Sequence, residues 1–552
     1  MIKRVMYVAL LTLLLPILAA CGGPATTATT APTTGAAPTT APAETPTQAA
    51  ETAPTEAPTA GAETAAPAPT DAPAEAGNIL RVHQITYPDV FDPQKSSFSG
   101  EIVILSQNYE GLTRLDGDLK TVPAAAEKWE YNADATVITF TLRSGLKYSD
   151  GSPLTAANFA YAASRTCDPN TAGEYQSILF DIAGCADFAS TAVTDTAGLE
   201  TTKAALGVKA VDDTTLVINL VQPAPYFHTV ASLWVMYPAK QELIEKGGEN
   251  WWQSAENHIG NGPFQISKIT EDQEVDFVAN KNYWNGAPKL DGLKYIYVAD
   301  PAVALEAYKA GQLDTYIIDP SQIPALQDDA SLKAEYLSYP AATTQGLQFN
   351  HTLPPFDDAK VREAFAYAFD RETYCAVIRN GDCQPTLTWI PQGIPGFDDT
   401  EDRFAFDADK AKAALAESKY AAAMPEITLA YNSDSAANKE RHEFIAKSFQ
   451  ETLGIEVKLN PMPGKDLSAA RKDFKTAPQM FLGGWIGDYP DPQNWLSVYW
   501  RSDAFASRVG YGNKEADELM KVGDTSTDPA ERIKAYQAAQ KLIVGDVAMV
   551  MV

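Results

Sequence analysis

Residues 483–492 are the part of this chain whose residue types are best suited to binding chemistry. Their sequence, GGWIGDYPDP, holds three glycines, two prolines, two aromatic residues and two carboxylates. An aromatic ring beside a carboxylate can hold a cationic amine attached to an apolar body. Trp485, Asp488 and Tyr489 are therefore candidate ligand-binding residues. The same composition also fits a structural turn with a packed Trp and solvated acids, and the local pattern leaves both interpretations open.

The flanking residues predict how this stretch is displayed. Residues 479–482 (QMFL) are typical of a short apolar strand. Glycine allows close approach of another backbone or a ligand, and proline ends a strand or helix. We therefore expect a strand that runs out into a rigid loop at Gly483. That loop would present Trp485, Asp488 and Tyr489 at a surface or in a cleft.

Other elements are predicted from residue period and capping residues. A helix is expected over 101–109 with Gly111 as its C-cap, and a strand over 136–142. Thr155 is expected to cap a helix that runs to about residue 166. Residues 407–459 alternate helix and strand patterns, which indicates βαβ units and an α/β protein.

The N-terminus carries an export signal. Lys3 and Arg4 precede an apolar run over 8–18, which is shorter than the roughly 20 residues of a membrane span. Leu-Ala-Ala-Cys then resembles the lipobox of bacterial lipoproteins, which implies a signal peptide over 1–20 and lipidation of Cys21. An ordinary signal peptide with a coincidental Cys is the alternative. The following stretch to residue 77 is almost entirely Ala, Thr, Pro, Gly and Glu, so we expect a disordered stalk over 21–77.

Charge and composition exclude several classes of function. The formal net charge is −28 and the isoelectric point is near 4.6, which argues against binding nucleic acid or anionic lipid. The sequence contains no GxSxG motif, no Cys–His signature and no His array with metal-site spacing. We therefore predict that the chain is not an enzyme and that it needs no metal or cofactor.

The five cysteines divide by position. Cys21 is assigned to the lipid, and the others form two local pairs, Cys167 with Cys185 and Cys375 with Cys383. An exported protein meets oxidising conditions, and neither pair has His at zinc-site spacing. We predict two disulfides.

Motifs spread over the body resemble one family. The matching segments are 109–113 (YEGLT), 122–129 (VPAAAEKW), 139–151 (TFTLRSGLKYSDG), 259–264 (IGNGPF) and 361–371 (VREAFAYAFDR). This ordered set resembles the extracytoplasmic solute-binding proteins of family 5, the oligopeptide- and dipeptide-binding lipoproteins of ABC importers. Asn261 departs from the family pattern, which usually has Thr there.

The resemblance implies a fold of the α/β class. It is the periplasmic-binding-protein-like fold (type II, cluster C), with two main lobes and an inserted third lobe. Lobe I would comprise 78–118 with 222–343, the inserted lobe 119–221, and lobe III 344–552. The family usually continues beyond a last crossing strand and returns to the first lobe, and we expect that C-terminal return to be missing here.

The resemblance also implies a function. The chain would be a monomeric, lipid-anchored protein of the bacterial cell envelope that captures peptides between two lobes and delivers them to an ABC permease. A non-peptide solute such as a sugar, an opine or a metal chelate is an alternative ligand. A receptor or adhesin lipoprotein without transport is a second alternative.

The family's site residues map onto the stretch at 483–492. In relatives the peptide's α-ammonium pairs with an Asp in a Gly-Trp-x-x-Asp segment, which corresponds here to Gly484, Trp485 and Asp488. Tyr489 would be a second wall beside Trp485, although Trp485 also fits a purely packed residue. Some relatives place an Arg for the peptide carboxylate where this chain has Leu482. The partner of the carboxylate is therefore unassigned.

An early loop supplies the remaining candidates. Ser97, Phe98 and Ser99 match a segment that lines the cleft in relatives. Tyr109, at the end of the next helix, fits a cleft residue and a core residue equally well.

Overall fold

The computed structural model describes residues 77–434 and 436–552. The predicted signal peptide, the lipidation site Cys21 and nearly all of the predicted stalk lie outside the described residues. No helix in the described part of the chain combines the length and the apolar composition needed to cross a membrane.

The described residues contain fifteen strands. In chain order they are β1 (Ile79–Gln84), β2 (Thr113–Leu115), β3 (Thr121–Pro123), β4 (Ala126–Tyr131), β5 (Val137–Leu142), β6 (Val208–Ala210), β7 (Thr215–Asn219), β8 (Phe264–Thr270), β9 (Glu274–Ala279), β10 (Gly292–Tyr297), β11 (Thr343–Phe349), β12 (Ile427–Asn432), β13 (Val457–Met462), β14 (Met480–Ile486) and β15 (Met549–Met551).

Eighteen α-helices connect these strands within the same residues. They are α1 (Ser99–Asn108), α2 (Ala156–Cys167), α3 (Cys185–Ser190), α4 (Thr196–Ala204), α5 (Phe227–Val230), α6 (Gln241–Gly247), α7 (Pro301–Lys309), α8 (Ile323–Asp328), α9 (Ala330–Glu335), α10 (Ala359–Ala368), α11 (Arg371–Thr373), α12 (Ala408–Glu417), α13 (Ala436–Leu453), α14 (Gly464–Ala470), α15 (Pro492–Trp495), α16 (Ser497–Trp500), α17 (Lys514–Thr525) and α18 (Pro529–Gly545).

Aspartates fix the start of several helices. Asp300, Asp358, Asp407 and Asp528 each accept hydrogen bonds from backbone N–H groups in the first turn of α7, α10, α12 and α18. These N–H groups have no partner inside the helix, so a short side-chain acceptor at this position stabilises the helix by about 1 kcal/mol.

The strands form three larger sheets and the small hairpin β2–β3. The first sheet has the order β1-β10-β9-β8 and the second the order β4-β5-β7-β6. In the second sheet β5 alternates, with Ile138, Phe140 and Leu142 buried in the core and the intervening residues partly exposed. The disulfide Cys167–Cys185 joins α2 to α3 beside this sheet, as predicted.

The third sheet has the order β13-β12-β14-β11-β15 and carries the stretch at 483–492. The strands β12, β13 and β14 run parallel, and α13 connects β12 to β13, which confirms the predicted βαβ alternation. The antiparallel strands β11 and β15 complete this sheet. The second predicted disulfide, Cys375–Cys383, closes a loop after α11.

Two local predictions were wrong. The strand β14 does not end at Gly483 but continues through Ile486, because β11 pairs with it along its whole length. Gly111 does not cap α1, which ends at Asn108. A Cβ atom at Gly111 would lie 2.7 Å from the carbonyl oxygen of Ala231, so glycine serves there for close backbone approach.

Candidate functional site

The strand β14 leads into the loop that carries Asp488. Gly484 faces Gln345 of β11, and a Cβ atom at Gly484 would lie 2.5 Å from the carbonyl oxygen of Thr344. Only glycine therefore allows this tight pairing. On its other side β14 pairs with β12 at Met480 and Phe481 alone. Residues 482–486 consequently have one strand edge without a partner strand.

Asn494 organises the loop after β14. Its Oδ1 accepts hydrogen bonds from Trp485 Nε1 and from the Asp488 backbone N–H, each at 2.9 Å. Its Nδ2 donates to Asp488 Oδ2, also at 2.9 Å. The Asn494 side chain is fully buried. One amide thus fixes both the Trp485 indole and the Asp488 carboxylate.

Asp488 faces a tyrosine from the segment 119–221. The Tyr175 hydroxyl donates to Asp488 Oδ1 at 3.4 Å, and its ring packs on Trp234 with centroids 5.1 Å apart. Within the described residues no Lys, Arg or His forms an ion pair with Asp488. Burial raises the pKa of Asp488 to about 6, although the hydrogen bonds from Asn494 and Tyr175 oppose this shift. The site therefore holds a desolvated carboxylate that lacks a cationic partner.

Trp485 and Tyr489 have different surroundings. The Trp485 ring packs against Tyr499 and Phe505, with centroids 5.5 and 5.2 Å apart, and its residue is partly exposed. Tyr489 is only 3% exposed and inserts into the apolar core formed by residues 105–251. Its hydroxyl donates to Gln493. Trp485 thus keeps a face at the site, whereas Tyr489 holds the loop against the neighbouring core.

The predicted early loop lies near the same end of the site. The Ser97 hydroxyl donates to Glu174 Oε2 at 3.3 Å, and Glu174 directly precedes Tyr175. Phe98 is 64% exposed and Ser99, the first residue of α1, is also exposed. Among the described contacts, Ser97 is linked to Asp488 indirectly. Ser97 bonds to Glu174, and the neighbouring Tyr175 bonds to Asp488.

Tyr109 lies in the core instead. It is 1% exposed, its ring stacks on Tyr237 at 6.2 Å, and its hydroxyl lies 3.5 Å from His258 Nδ1. Among the described residues no hydrogen bond or ring contact joins Tyr109 to Asp488, and its burial favours a role in the core.

A cavity of 360 Å³ lies along the unpaired edge of β14. We call it the β14 cavity. It is lined by Thr343, Gln345, Ala430, Tyr431, Asn432, Asn438, Arg441, His442, Gly464, Leu467, Ser468, Arg471, Leu482, Gly483, Gly484, Trp485 and Ile486. Trp485 belongs to both the cavity and the Asp488 network, and three residues of chain span at most about 11 Å. The cavity is therefore close to Asp488.

Two guanidinium groups face the β14 cavity. Arg441 lies on α13, and Arg471 follows α14 and donates to the Leu482 carbonyl at 3.4 Å. Burial lowers the pKa of both guanidinium groups, which stay charged at neutral pH. Burial also lowers the pKa of His442 to about 4, so this imidazole is neutral. The cavity can therefore bind an anionic group.

Sequence reasoning did not find Asn494, Tyr175, Arg441 or Arg471. The one available sequence signal is for Asn494, which lies in the first turn of the short helix that Asp491 and Pro492 begin. Tyr175 comes from a distant segment, and no local pattern links Tyr175, Arg441 or Arg471 to the strand.

The arrangement is suited to binding rather than to catalysis. A half-buried acid at one end and two guanidinium groups along the strand can hold a ligand that carries both charges. In the described ranges, no group of three or more His, Cys, Asp or Glu side chains is placed to hold a metal ion.

The fold and this site define a solute-binding protein of the periplasmic-binding type. A family model described as "Bacterial extracellular solute-binding proteins, family 5 Middle" matches residues 120–507. The chain therefore belongs to the bacterial extracellular solute-binding proteins of family 5. Members of this family are transport binding proteins and not enzymes, in agreement with the sequence-based prediction.

Individual relatives extend over most of the chain. The oligopeptide-binding protein OppA of Bacillus subtilis is 28% identical over 488 residues, which is 85% of this chain and 86% of that protein. The probable deoxycholate-binding periplasmic protein YgiS of Escherichia coli is 29% identical over 490 residues, which is 87% of this chain and 88% of that protein.

A solved structure shows the same fold with a peptide bound. The Haemophilus influenzae OppA complex with the peptide RPPGFSPFR superposes with a TM-score of 0.70 at 26% identity. The match covers 86% of this chain and 93% of that one. The α/β periplasmic-binding-protein-like fold predicted from sequence is thereby confirmed.

Proposed function

We propose that this protein captures short peptides between its lobes and delivers them to an ABC permease. The proposal rests on one observation. Asp488 has no cationic partner among the described residues, and it lies close to a cavity lined by Arg441 and Arg471. A peptide in water carries an ammonium group and a carboxylate at its two ends, and this site offers a partner for each.

The ligand would lie along β14. Its α-ammonium would replace the Tyr175 hydroxyl as the donor to Asp488, because a charged donor forms a stronger hydrogen bond with a carboxylate than a phenol does. The edge of residues 482–486 would pair with the peptide main chain as an added strand. Main-chain pairing supplies affinity that does not depend on the peptide sequence.

Closure of the lobes would follow from contacts that only the closed form makes. Tyr175 belongs to the expected inserted lobe (119–221) and Asp488 to the expected lobe III (344–552). The peptide would lie between these two segments, with its ammonium in place of their direct hydrogen bond. A ligand shifts the equilibrium by its differential affinity for the two states. The closed form would then dock on the permease as a monomer, held to the outer face of the membrane by a lipid on Cys21.

A non-peptide solute is the second candidate. The relative named as a probable deoxycholate-binding protein motivates it. A bile acid has a carboxylate for Arg441 or Arg471 but no ammonium for Asp488. Asp488 therefore favours a peptide, which has an ammonium group, over a bile acid.

The test uses calorimetry with trialanine and N-acetyl-trialanine. Both carry a carboxylate, but only trialanine has an ammonium group. We expect trialanine to bind at least about 30-fold more tightly, since the N-acetyl form leaves Asp488 without a charged partner. Equal affinities, or binding of deoxycholate with no binding of either peptide, would contradict the proposal. Native mass spectrometry of protein taken directly from cells should independently reveal co-purifying peptides.

A further inference from the structure

The β14 cavity has an unusual charge composition for this protein. The whole chain has 71 acidic and 43 basic residues, yet no Asp or Glu lines the cavity. Its charged groups are Arg441 and Arg471 alone, because His442 is neutral at pH 7. The side chains that line the cavity therefore carry two positive charges.

Neither guanidinium has a carboxylate partner among the described residues. Arg471 donates only to the Leu482 carbonyl and lies 5.5 Å from the Phe481 ring centroid. Arg441 has no ion pair in the described ranges, although Asp319 and Arg379 act on it electrostatically in opposite directions. Two half-buried cations without an ion-pair partner are unfavourable, so a bound ligand that neutralises both is stabilised.

A terminal carboxylate that binds one guanidinium through both of its oxygens leaves the other guanidinium without an equivalent anion. A guanidinium binds a carboxylate in a two-pronged arrangement that uses both oxygens. Arg441 and Arg471 come from different elements, since Arg441 lies on α13 and Arg471 directly follows α14. Gln345, Asn432 and Ser468 add neutral polar side chains to the same wall.

We infer that the β14 cavity selects peptides whose C-terminal residue is acidic, so that the terminal carboxylate and the side-chain carboxylate occupy one guanidinium each. This inference rests on the proposed function, since it assigns a preference to the peptide site. It adds a ligand class, namely peptides that end in Asp or Glu.

The experiment compares two isosteric peptides by calorimetry at low ionic strength. Ala-Ala-Glu and Ala-Ala-Gln differ in one charge, and Ala-Ala-Ala-Glu and Ala-Ala-Ala-Gln repeat the comparison at greater length. We expect each Glu peptide to bind about tenfold more tightly than its Gln counterpart, which is the effect of one charge-assisted hydrogen bond.

Variants locate the effect in the cavity. Arg441→Gln and Arg471→Gln should each reduce the Glu-to-Gln affinity ratio to about 1–3 while some binding of both peptides remains. Lys447→Gln, an exposed change on α13, should leave the ratio at its original value. Thermal unfolding of each variant checks that it is folded.

The outcomes separate this inference from the proposed function. Tight binding of both peptides with equal affinity in the unaltered protein would overturn the inference and leave peptide capture intact. An affinity ratio that survives both Arg variants would also overturn it. Failure of all four peptides to bind would contradict both proposals.

Discussion

The Tyr175 hydroxyl lies 3.4 Å from Asp488 Oδ1, although the two residues are 313 positions apart in the chain. The contact joins the segment 119–221 to the loop after β14 and gives a half-buried carboxylate a neutral donor. A carboxylate in this setting is costly to ionise and is poised to accept a stronger, charged donor. The affinity of the site for an amine should therefore depend on the protonation state of Asp488.

Peptide affinity should fall in acid. The pKa of Asp488 in the ligand-free protein is about 6, and the ammonium requires the ionised form. Protonation therefore competes with ligand, and affinity should drop by about tenfold per pH unit below pH 6. Calorimetry with trialanine from pH 5 to pH 8 checks this. The prediction fails if affinity is constant over this range.

The variant Tyr175→Phe should shift the pH at which peptide affinity begins to fall. The hydrogen bond from Tyr175 lowers the pKa of Asp488, so its removal should raise this pKa and move the midpoint of the pH dependence upward. Tyr339→Phe, a change at an exposed residue, is the matched control. A midpoint that stays in place or moves downward would show that Tyr175 does not contact Asp488 in solution.

Asp524 should make stability depend on pH. Asp524 is 2% exposed, accepts hydrogen bonds from Ser497 and Tyr536 at 2.6 Å, and has a pKa raised by burial to about 6. The Asp524 carboxyl binds a proton more tightly in the folded state than in the unfolded state. The contribution of Asp524 to stability therefore rises as pH falls from about 6 to about 4.

The variant Asp524→Asn tests this sign. It should raise the free energy of unfolding at pH 8 by on the order of 1–3 kcal/mol and remove part of the gain in acid. Urea unfolding at pH 5 and pH 8 measures the effect, with Asp409→Asn at an exposed site as control. Destabilisation at pH 8 would mean that the hydrogen bonds to the ionised form outweigh its burial.

The disulfide Cys167–Cys185 should stabilise the protein through the unfolded chain. It closes a loop with a sequence separation of 18, for which chain entropy predicts about 3 kcal/mol. The double variant Cys167→Ala/Cys185→Ala should lose roughly this amount in urea unfolding under oxidising conditions. An unchanged transition midpoint would contradict the prediction.

The fold could be predicted from sequence because it depends on local residue patterns and on family motifs that occur in a fixed order along the chain. The alternation in β5, the helix starts and the paired cysteines each depend on neighbouring residues. The motifs over 109–371 then specified the family. The end of β14 was misjudged because glycine weakens a strand locally, while pairing with β11 over the full length overrides that preference.

The candidate site was only half accessible from sequence. Asp488 and Trp485 could be proposed because both lie in one distinctive stretch. Tyr175, Arg441 and Arg471 reach the site through tertiary packing, and none has a sequence signature. Position 482 holds Leu, and the guanidinium groups near this strand come from α13 and from the residue after α14.

The most direct test of peptide capture is the affinity of the variant Asp488→Ala for trialanine. The proposed ammonium would lose its carboxylate partner, so calorimetry at pH 7.5 should show a loss of about 2–5 kcal/mol. Asp409→Ala, which removes an exposed carboxylate on α12, should bind like the unaltered protein. Unchanged affinity in a folded Asp488→Ala variant would contradict the account, because Asp488 would then have no part in holding the ligand.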